Sequence, residues 1–197
     1  PDCQEQIELI FPPICHRCGG PLAESVSPRA TPLQAGQSPN PVCDSCRKTP
    51  PRLSRLLACA YYADPLKEAI QQFKYNDLRS LAAPLGQLMA GGWQRLAPPK
   101  TGVDVIVPVP LHARRERQRG YNQSALLARE LGVYLQLPVV ESVLIRKRAT
   151  APQVDLDVAE RRANVEVAFR CVDSSLSGQR VLLVDDVFTT GSTLDAA

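Results

Sequence analysis

The segment VLLVDDVFTTGST, Val181 to Thr193, restricts the possible folds more than any other part of the chain. Four aliphatic residues in a row describe a strand covered on both faces, the habit of parallel sheets. Such sheets bind ligands beyond the carboxyl ends of their strands. Asp185 and Asp186 therefore emerge into a ligand crevice, and Thr189, Thr190, Gly191, Ser192 and Thr193 form a turn that opens a helix. Backbone N–H groups in such a turn, together with the positive end of the helix, make a phosphate cradle. A Walker loop would need a lysine before its Ser/Thr, and none stands here. Adjacent carboxylates above a phosphate suit a sugar phosphate instead. The acids accept from vicinal ribose hydroxyls while the turn holds the 5′-phosphate. The bland alternative is an acidic strand end followed by a capped helix with no ligand.

Upstream, strand-like and helix-like segments alternate from about Leu53. LLACAYY (Leu56 to Tyr62) has strand composition. DPLKEAIQQFKY reads as a helix with Asp64 as N-cap, Pro65 at the first helical position, and Leu66, Ala69, Ile70 and Phe73 on one face. Leu78 to Leu96 predicts a second helix and Val103 to Leu111 a buried strand. Tyr121 to Leu135 predicts a third helix, with Leu127, Leu131 and Tyr134 at helical spacing. VESVLIRK, VEVAF and RVLLVDDV supply further strands. Alternation of this kind predicts a three-layer α/β domain with a mostly parallel sheet over residues 53–197.

Residues 1–52 differ in texture. Ten of the 18 prolines fall by Pro51, and the tract Ser25 to Val42 has neither helical nor strand period. It cannot bury enough apolar surface to offset its ordering entropy. On either side lie two pairs of equal spacing, Cys15 with Cys18 and Cys43 with Cys46. Each CxxC turn aims two thiolates at one point about 2.3 Å from a zinc ion, and two turns complete a closed tetrahedral site. Zn2+ would then stand in for the missing core. Gly19 and Gly20 suit a backbone that turns tightly around the ion. Disulfides, which need an oxidising compartment, and thioredoxin-like redox chemistry, which needs a βαβ setting, are the alternatives. Cys3, Cys59 and Cys171 have no partner at ligand spacing, and Cys59 reads as a core residue.

The bounds are otherwise ordinary. The chain has 197 residues, 44% of them hydrophobic, and a net charge of +3. No apolar run approaches the roughly 18 residues of a membrane span. It begins without Met and stops one turn into the last helix, as expected of a C-terminally truncated fragment. An edge strand left open by truncation would favour a homo-oligomer or aggregation.

VLLVDDVFTTGST closely resembles the phosphoribosyl pyrophosphate (PRPP) signature of type I phosphoribosyltransferases. FPP before the cysteines, FKY, VPVPLHARRERQRGYNQS and RKRATAPQVDLDVAERRANV extend the likeness over nearly the whole chain. In that order they resemble the ComF family, whose relatives include GntX-type proteins. The resemblance implies a type I phosphoribosyltransferase fold. It places a pyrophosphate loop after Val103 to Val107, where Arg114, Arg115, Arg117 and Arg119 offer bidentate phosphate contacts. Gly120 permits a tight turn, Asn122 can cap the next helix, and Tyr121 offers a stacking face, although structural roles suit these three equally. Arg146, Lys147 and Arg148 introduce the segment corresponding to a loop that closes over PRPP, where Lys147 would reach the pyrophosphate. Gln153, Arg161, Arg162 and Asn164 fall on the family's pattern, as does Lys74, for which an exposed helix lysine is an equal reading.

Three functions follow as expectations. One is a phosphoribosyltransferase using Mg2+ with PRPP on an unknown acceptor, with Asp185, Asp186 and Lys147 as its catalytic residues. A second is a cytoplasmic competence factor that handles incoming single-stranded DNA beside the DNA-uptake machinery. A third is a PRPP or nucleotide sensor without turnover.

Overall fold

The computed structural model describes residues 2–22, 41–98, 101–147, 169–188 and 192–197. Two short helices, α1 (Asp2–Glu5) and α2 (Asp44–Lys48), belong to the cysteine-bearing segment. They are followed by α3 (Leu66–Tyr75), a 3-10 turn (Arg79–Leu81), α4 (Ala82–Leu96), β1 (Val105–Pro108), α5 (Ala113–Arg119) and α6 (Gln123–Leu135). The chain then forms β2 (Leu144–Arg146), β3 (Phe169–Cys171), β4 (Val181–Val184) and α7 (Ser192–Ala196).

The result is an α/β fold around a small parallel sheet. All four residues of β1 are buried. β1 pairs in parallel with β4, Val105 opposite Val181 through Pro108 opposite Val184. Its other edge takes a parallel bridge from Val139, tied by Ile106 N–H to Pro138 O at 2.9 Å. On one face, Ile106 and Val184 pack with Leu66, Ile70 and Phe73 of α3, Leu85 and Ala90 of α4, and Leu127 and Leu131 of α6. On the other, Val105 and Val107 pack with Val143, Leu144 and Phe169. β2 and β3 form a separate antiparallel ladder, so among the described residues the parallel pairing is confined to β1, β4 and Val139.

Several expected elements are corrected. LLACAYY is not a strand. Ala60 makes a single antiparallel bridge to Leu9, and the Cys59 carbonyl accepts from Ile10 N–H at 3.1 Å and from Arg95 Nη2 at 2.8 Å. The hydrogen bonds of this segment go to the N-terminal segment and a helix side chain, so tertiary partners override strand propensity. Helix α3 starts at Leu66, with Pro65 in the cap position and no side-chain cap from Asp64. The second helix begins as a 3-10 turn and becomes α-helical only at Ala82. Tyr134 is exposed while Leu127 and Leu131 are buried. The segment after Pro110, expected as a loop, forms α5, capped by the His112 ring, which accepts from Arg114 N–H. Gly120 ends it at φ 83°, a left-handed position that glycine adopts without strain. VEVAF lies outside the described residues except for Phe169, where β3 begins.

Candidate functional site

Two clusters gather chemically reactive side chains. In the first, the Sγ atoms of Cys15, Cys18, Cys43 and Cys46 all lie within 4.8 Å of one another. Cys18 and Cys43 are 3.8 Å apart, close to the edge of about 3.8 Å that 2.3 Å bonds give a tetrahedron. Local backbone explains the convergence. Gly19 sits at φ 67° and donates to Cys15 O at 3.0 Å, closing the first turn. A Cβ there would meet Leu56 O at 2.5 Å. α2 carries Cys46 inward, and Cys43 N–H donates to Cys15 Sγ at 3.3 Å. Burial pushes the Cys15 thiol up, but amide donors including Cys43 N–H outweigh it and leave it at about 6. The cluster could hold a metal ion. It is fastened to the α/β body through Ile10 and Ile14 packed on Leu96, and through Arg95 Nε to Ile10 O at 2.9 Å.

The second cluster lies at the carboxyl ends of β1 and β4. Asp185 and Asp186 emerge there from β4, which is not the fully buried strand expected: Val181 is exposed, Leu182 and Leu183 are half-buried, and only Val184 is buried. Ser124, fully buried in the first turn of α6, donates its hydroxyl to Asp185 Oδ1 at 2.9 Å. Asp186 N–H donates to the same oxygen at 2.9 Å. Lys74 Nζ, from the last turn of α3, stands 2.9 Å from Asp186 Oδ2, whose side chain is 5% exposed. Burial, then the neighbouring charge of Asp186, raises the Asp185 carboxyl from 3.8 to about 6, against the opposing pull of Ser124, the Asp186 amide and Lys74. Asn122 fixes Ser124 in turn. Its Oδ1 accepts from Ser124 N–H at 3.1 Å, and its Nδ2 donates to Val109 O at 3.1 Å.

The structure thus brings Asp185, Asp186 and Lys74 together and adds Ser124, which the sequence reading passed over. The only signal was its place in the YNQS stretch, at the start of a helix. Arg114 and Arg115 are exposed on α5. Arg119 bonds Gln123 and lies 5.2 Å from the Tyr75 ring centroid. Of the two roles open to Tyr121, stacking face or structural residue, the structure shows the structural one. Tyr121 is buried, its hydroxyl donates to Phe73 O, and Arg79 lies over its ring. Lys147 is exposed just after β2. Burial, and then Arg115, lower the pKa of Arg146, while Asp185 raises it. Thr193 lies in α7, which Ser192 opens. Thr189, Thr190, Gly191, Arg148, Gln153, Arg161, Arg162 and Asn164 lie outside the described residues.

Similarity to known proteins follows the same span. The chain is 32% identical to Competence protein F of Haemophilus influenzae, over 98% of this chain and 79% of that protein. The chain belongs to the ComF family. It is also 35% identical to DNA utilization protein YhgH of Salmonella typhi, over 98% of this chain and 85% of that protein. Competence protein ComFC of Bacillus subtilis is 28% identical over 99% of this chain and 74% of its own length. No family model matches the chain, so membership in the ComF family rests on these pairwise likenesses. None of the described helices is long and apolar enough to cross a membrane.

Proposed function

We propose that this chain is a ComF-type competence factor that handles single-stranded DNA on the cytoplasmic side of the DNA-uptake machinery. The observation that carries this reading is the likeness, over 98% of the chain, to proteins named for competence and DNA utilization. Residues 1–52 form a metal-held unit, in which Cys15, Cys18, Cys43 and Cys46 bind structural zinc. Four thiolates leave the ion no open position, so it shapes the protein and performs no chemistry. Deleting the gene should abolish natural transformation while leaving growth intact, and the chain should bind oligodeoxynucleotides with strong salt dependence. Undiminished transformation in the deletion strain would sink the reading.

A second reading is favoured by one specific feature, the acid pair at the end of a parallel strand with a half-buried lysine and a buried hydroxyl arranged on it. In this reading Asp185 and Asp186 accept from ribose hydroxyls of PRPP, and Thr189 to Thr193 hold its 5′-phosphate. Arg114, Arg115 and Arg119 face the pyrophosphate, which Lys147 reaches from the segment after β2. The carboxylates are the hard oxygen donors that Mg2+ takes, and the ion would supply neutralising charge to the pyrophosphate. Calorimetric titration of PRPP with and without Mg2+ tests this. Binding that leads to phosphoribosyl transfer marks a phosphoribosyltransferase with an acceptor still to be found, and binding without turnover marks a sensor. Absence of binding removes both.

A further inference from the structure

One stretch of the chain is held by both halves of the molecule. Residues 53–60 lead from the four-cysteine segment toward α3, and they form no ladder of their own beyond the single bridge from Ala60 to Leu9. Their position is set from two sides. Toward the cysteines, Leu56 N–H donates to Arg17 O at 2.8 Å, and Leu56 O lies so near Gly19 that a Cβ there would meet it at 2.5 Å. Toward α4, Arg95 Nη2 donates to Cys59 O at 2.8 Å, and Cys59 rests directly on Gly92, where a side chain would collide with its Sγ and Cβ. Arg55 belongs to both sides. Its Nη1 donates to His16 Nδ1 at 3.1 Å and its Nη2 to Leu96 O at 3.2 Å, so one planar guanidinium joins the residue after Cys15 to the end of α4.

The same stretch forms one side of a cavity of about 790 Å3. Trp93 of α4 and Leu182 and Leu183 of β4 line it too, and it reaches Asp185 and Asp186. The two anchors of residues 53–60 are not equally self-sufficient. On the α4 side they belong to the α/β body, whose core is drawn from α3, α4, α6 and the sheet. On the cysteine side the buried apolar residues are Ile10 and Ile14, packed on Leu96 with Leu57 and Ala58. Segments with so small a core need a metal, a disulfide or a partner in order to fold, and small metal modules are folded with their ion and unfolded without it. Removing the metal therefore withdraws His16, Arg17 and Gly19 from residues 53–57 and leaves the α4 contacts of Cys59 in place.

We infer that metal occupancy at the four-cysteine cluster fixes this side of the cavity: Arg55 and Leu56 hold residues 53–57 in place only while Cys15, Cys18, Cys43 and Cys46 share an ion. Without it, the anchor at Cys59 alone lets that stretch move away from Trp93. The inference rests on the zinc reading above and extends it from the N-terminal segment to the crevice, since the cavity continues to Asp185 and Asp186. The cluster then acts on the ligand end of the sheet without touching it. The coupling runs through one contiguous series of packed and hydrogen-bonded groups, and the element with two states is the cysteine segment itself, folded or unfolded.

Trp93 is the one tryptophan of the chain, so its fluorescence reports on this cavity. The test follows Trp93 emission, its quenching by acrylamide and deuterium uptake of residues 53–60 in the full chain, with bound zinc counted by elemental analysis. Chelation of the parent, or Cys15→Ser without chelator, should shift the emission to the red, raise quenching and remove protection of the Leu56 amide, while the main thermal transition remains. Arg55→Met should keep one zinc per chain, because no ligand is changed. It should show part of the red shift while loaded and a smaller further change on chelation. Arg55→Lys, which keeps the charge and loses the fork, should behave like Arg55→Met. Zinc leaving the parent with no change at Trp93 or in exchange at residues 53–60 would overturn the inference and leave the zinc reading standing. A full parental response in both Arg55 variants would do the same. A parent chain that holds no zinc and takes none up would overturn both. Disappearance of the main thermal transition on chelation would also overturn the inference, because the metal would then hold the entire fold and not one side of a cavity.

Discussion

The four-cysteine cluster and the acid pair face the same physical problem and solve it differently. Each brings groups of like charge into a small, partly dry space. In the crevice the chain provides its own counter-charge: Lys74 stands 2.9 Å from Asp186, and the Ser124 hydroxyl donates to Asp185 at 2.9 Å. Among the cysteines the donors are backbone amides such as Cys43 N–H. Amides are weak compensation for ionising four thiols within 4.8 Å of one another, and burial pushes the Cys18 and Cys46 thiols up. The lesson is that the first region could hold a cation from outside, whereas the second carries one from elsewhere in the fold. The two should therefore fail under opposite treatments.

The largest effect expected is on the cysteine side. Protein purified without chelator should contain one zinc per chain, and Cys15→Ser should release it. Structural zinc contributes about 10–16 kcal/mol of binding free energy in small zinc modules at neutral pH, far more than the small Ile10–Ile14–Leu96 cluster can replace. The segment around the cysteines should become protease-sensitive while the α/β body stays folded. Elemental analysis and limited proteolysis check this, and a metal-free preparation with a resistant N-terminal segment would break the comparison.

Next in size is the reverse experiment. Lys74→Met removes the internal cation and leaves Asp186 buried beside a second carboxylate. Breaking one partner of a buried pair costs about 3–5 kcal/mol, and since Lys74 is 18% exposed we expect the low end, about 3 kcal/mol. Urea denaturation at pH 7 measures it. The loss should shrink at pH 4, where Asp185, raised to about 6, is protonated and no longer sets a second charge beside Asp186, and zinc content should be unchanged. An equal loss at both pH values would mean that Lys74 contributes packing rather than charge.

These contrasts also explain what could be read from the sequence. The cysteine site was legible because its geometry is local: spacing of two and a following glycine determine where the thiols point. The end of β4 was legible because a run of aliphatic residues leaves the next side chains nowhere but the strand's exit. Ser124 was not, and Lys74 fell on the family's pattern without revealing its partner, because both reach the acids by packing of α6 and α3 against the sheet. Ser124 and Asp185 are 61 residues apart. LLACAYY misled for a related reason. Its composition suits a strand, yet Arg95 and the N-terminal segment take its backbone groups. α5 stands where the resemblance places a loop, and its start depends on the His112 ring accepting from Arg114 N–H, a cap that residue types alone do not announce.

A smaller effect separates the two acids. With its carboxyl raised from 3.8 to about 6, Asp185 binds a proton in the folded chain more readily than in the unfolded one. Its contribution to stability is thus fully present below about pH 4 and is lost as pH rises through about 6. Asp185→Asn removes the charge and should stabilise the fold at pH 7 by about 1–3 kcal/mol, with no gain at pH 4. Stability that is flat between pH 4 and 7 in the parent chain would contradict this assignment. Any PRPP affinity should fall in the same variant, which would show that the cost of the charge is retained for a ligand.

Ser124→Ala should give the smallest change and the sharpest reading of the acid pair. The hydroxyl donates to one oxygen of Asp185, and Asp186 N–H donates to that oxygen as well. Removing the hydroxyl therefore leaves the carboxylate with one of the two donors seen among the described residues, so the loss at pH 7 should sit near the bottom of the range for bonds to charged groups, about 1.5 kcal/mol. The hydroxyl favours the ionised form, so its removal must move the Asp185 titration upward from about 6. The carboxyl carbon resonance followed through pH 4 to 8 reports that shift directly. A purely structural serine would lower stability equally at all pH values and leave the titration in place. An upward shift with a loss confined to neutral pH would show that α6 positions the acid through this hydroxyl, as α3 does through Lys74 for its neighbour.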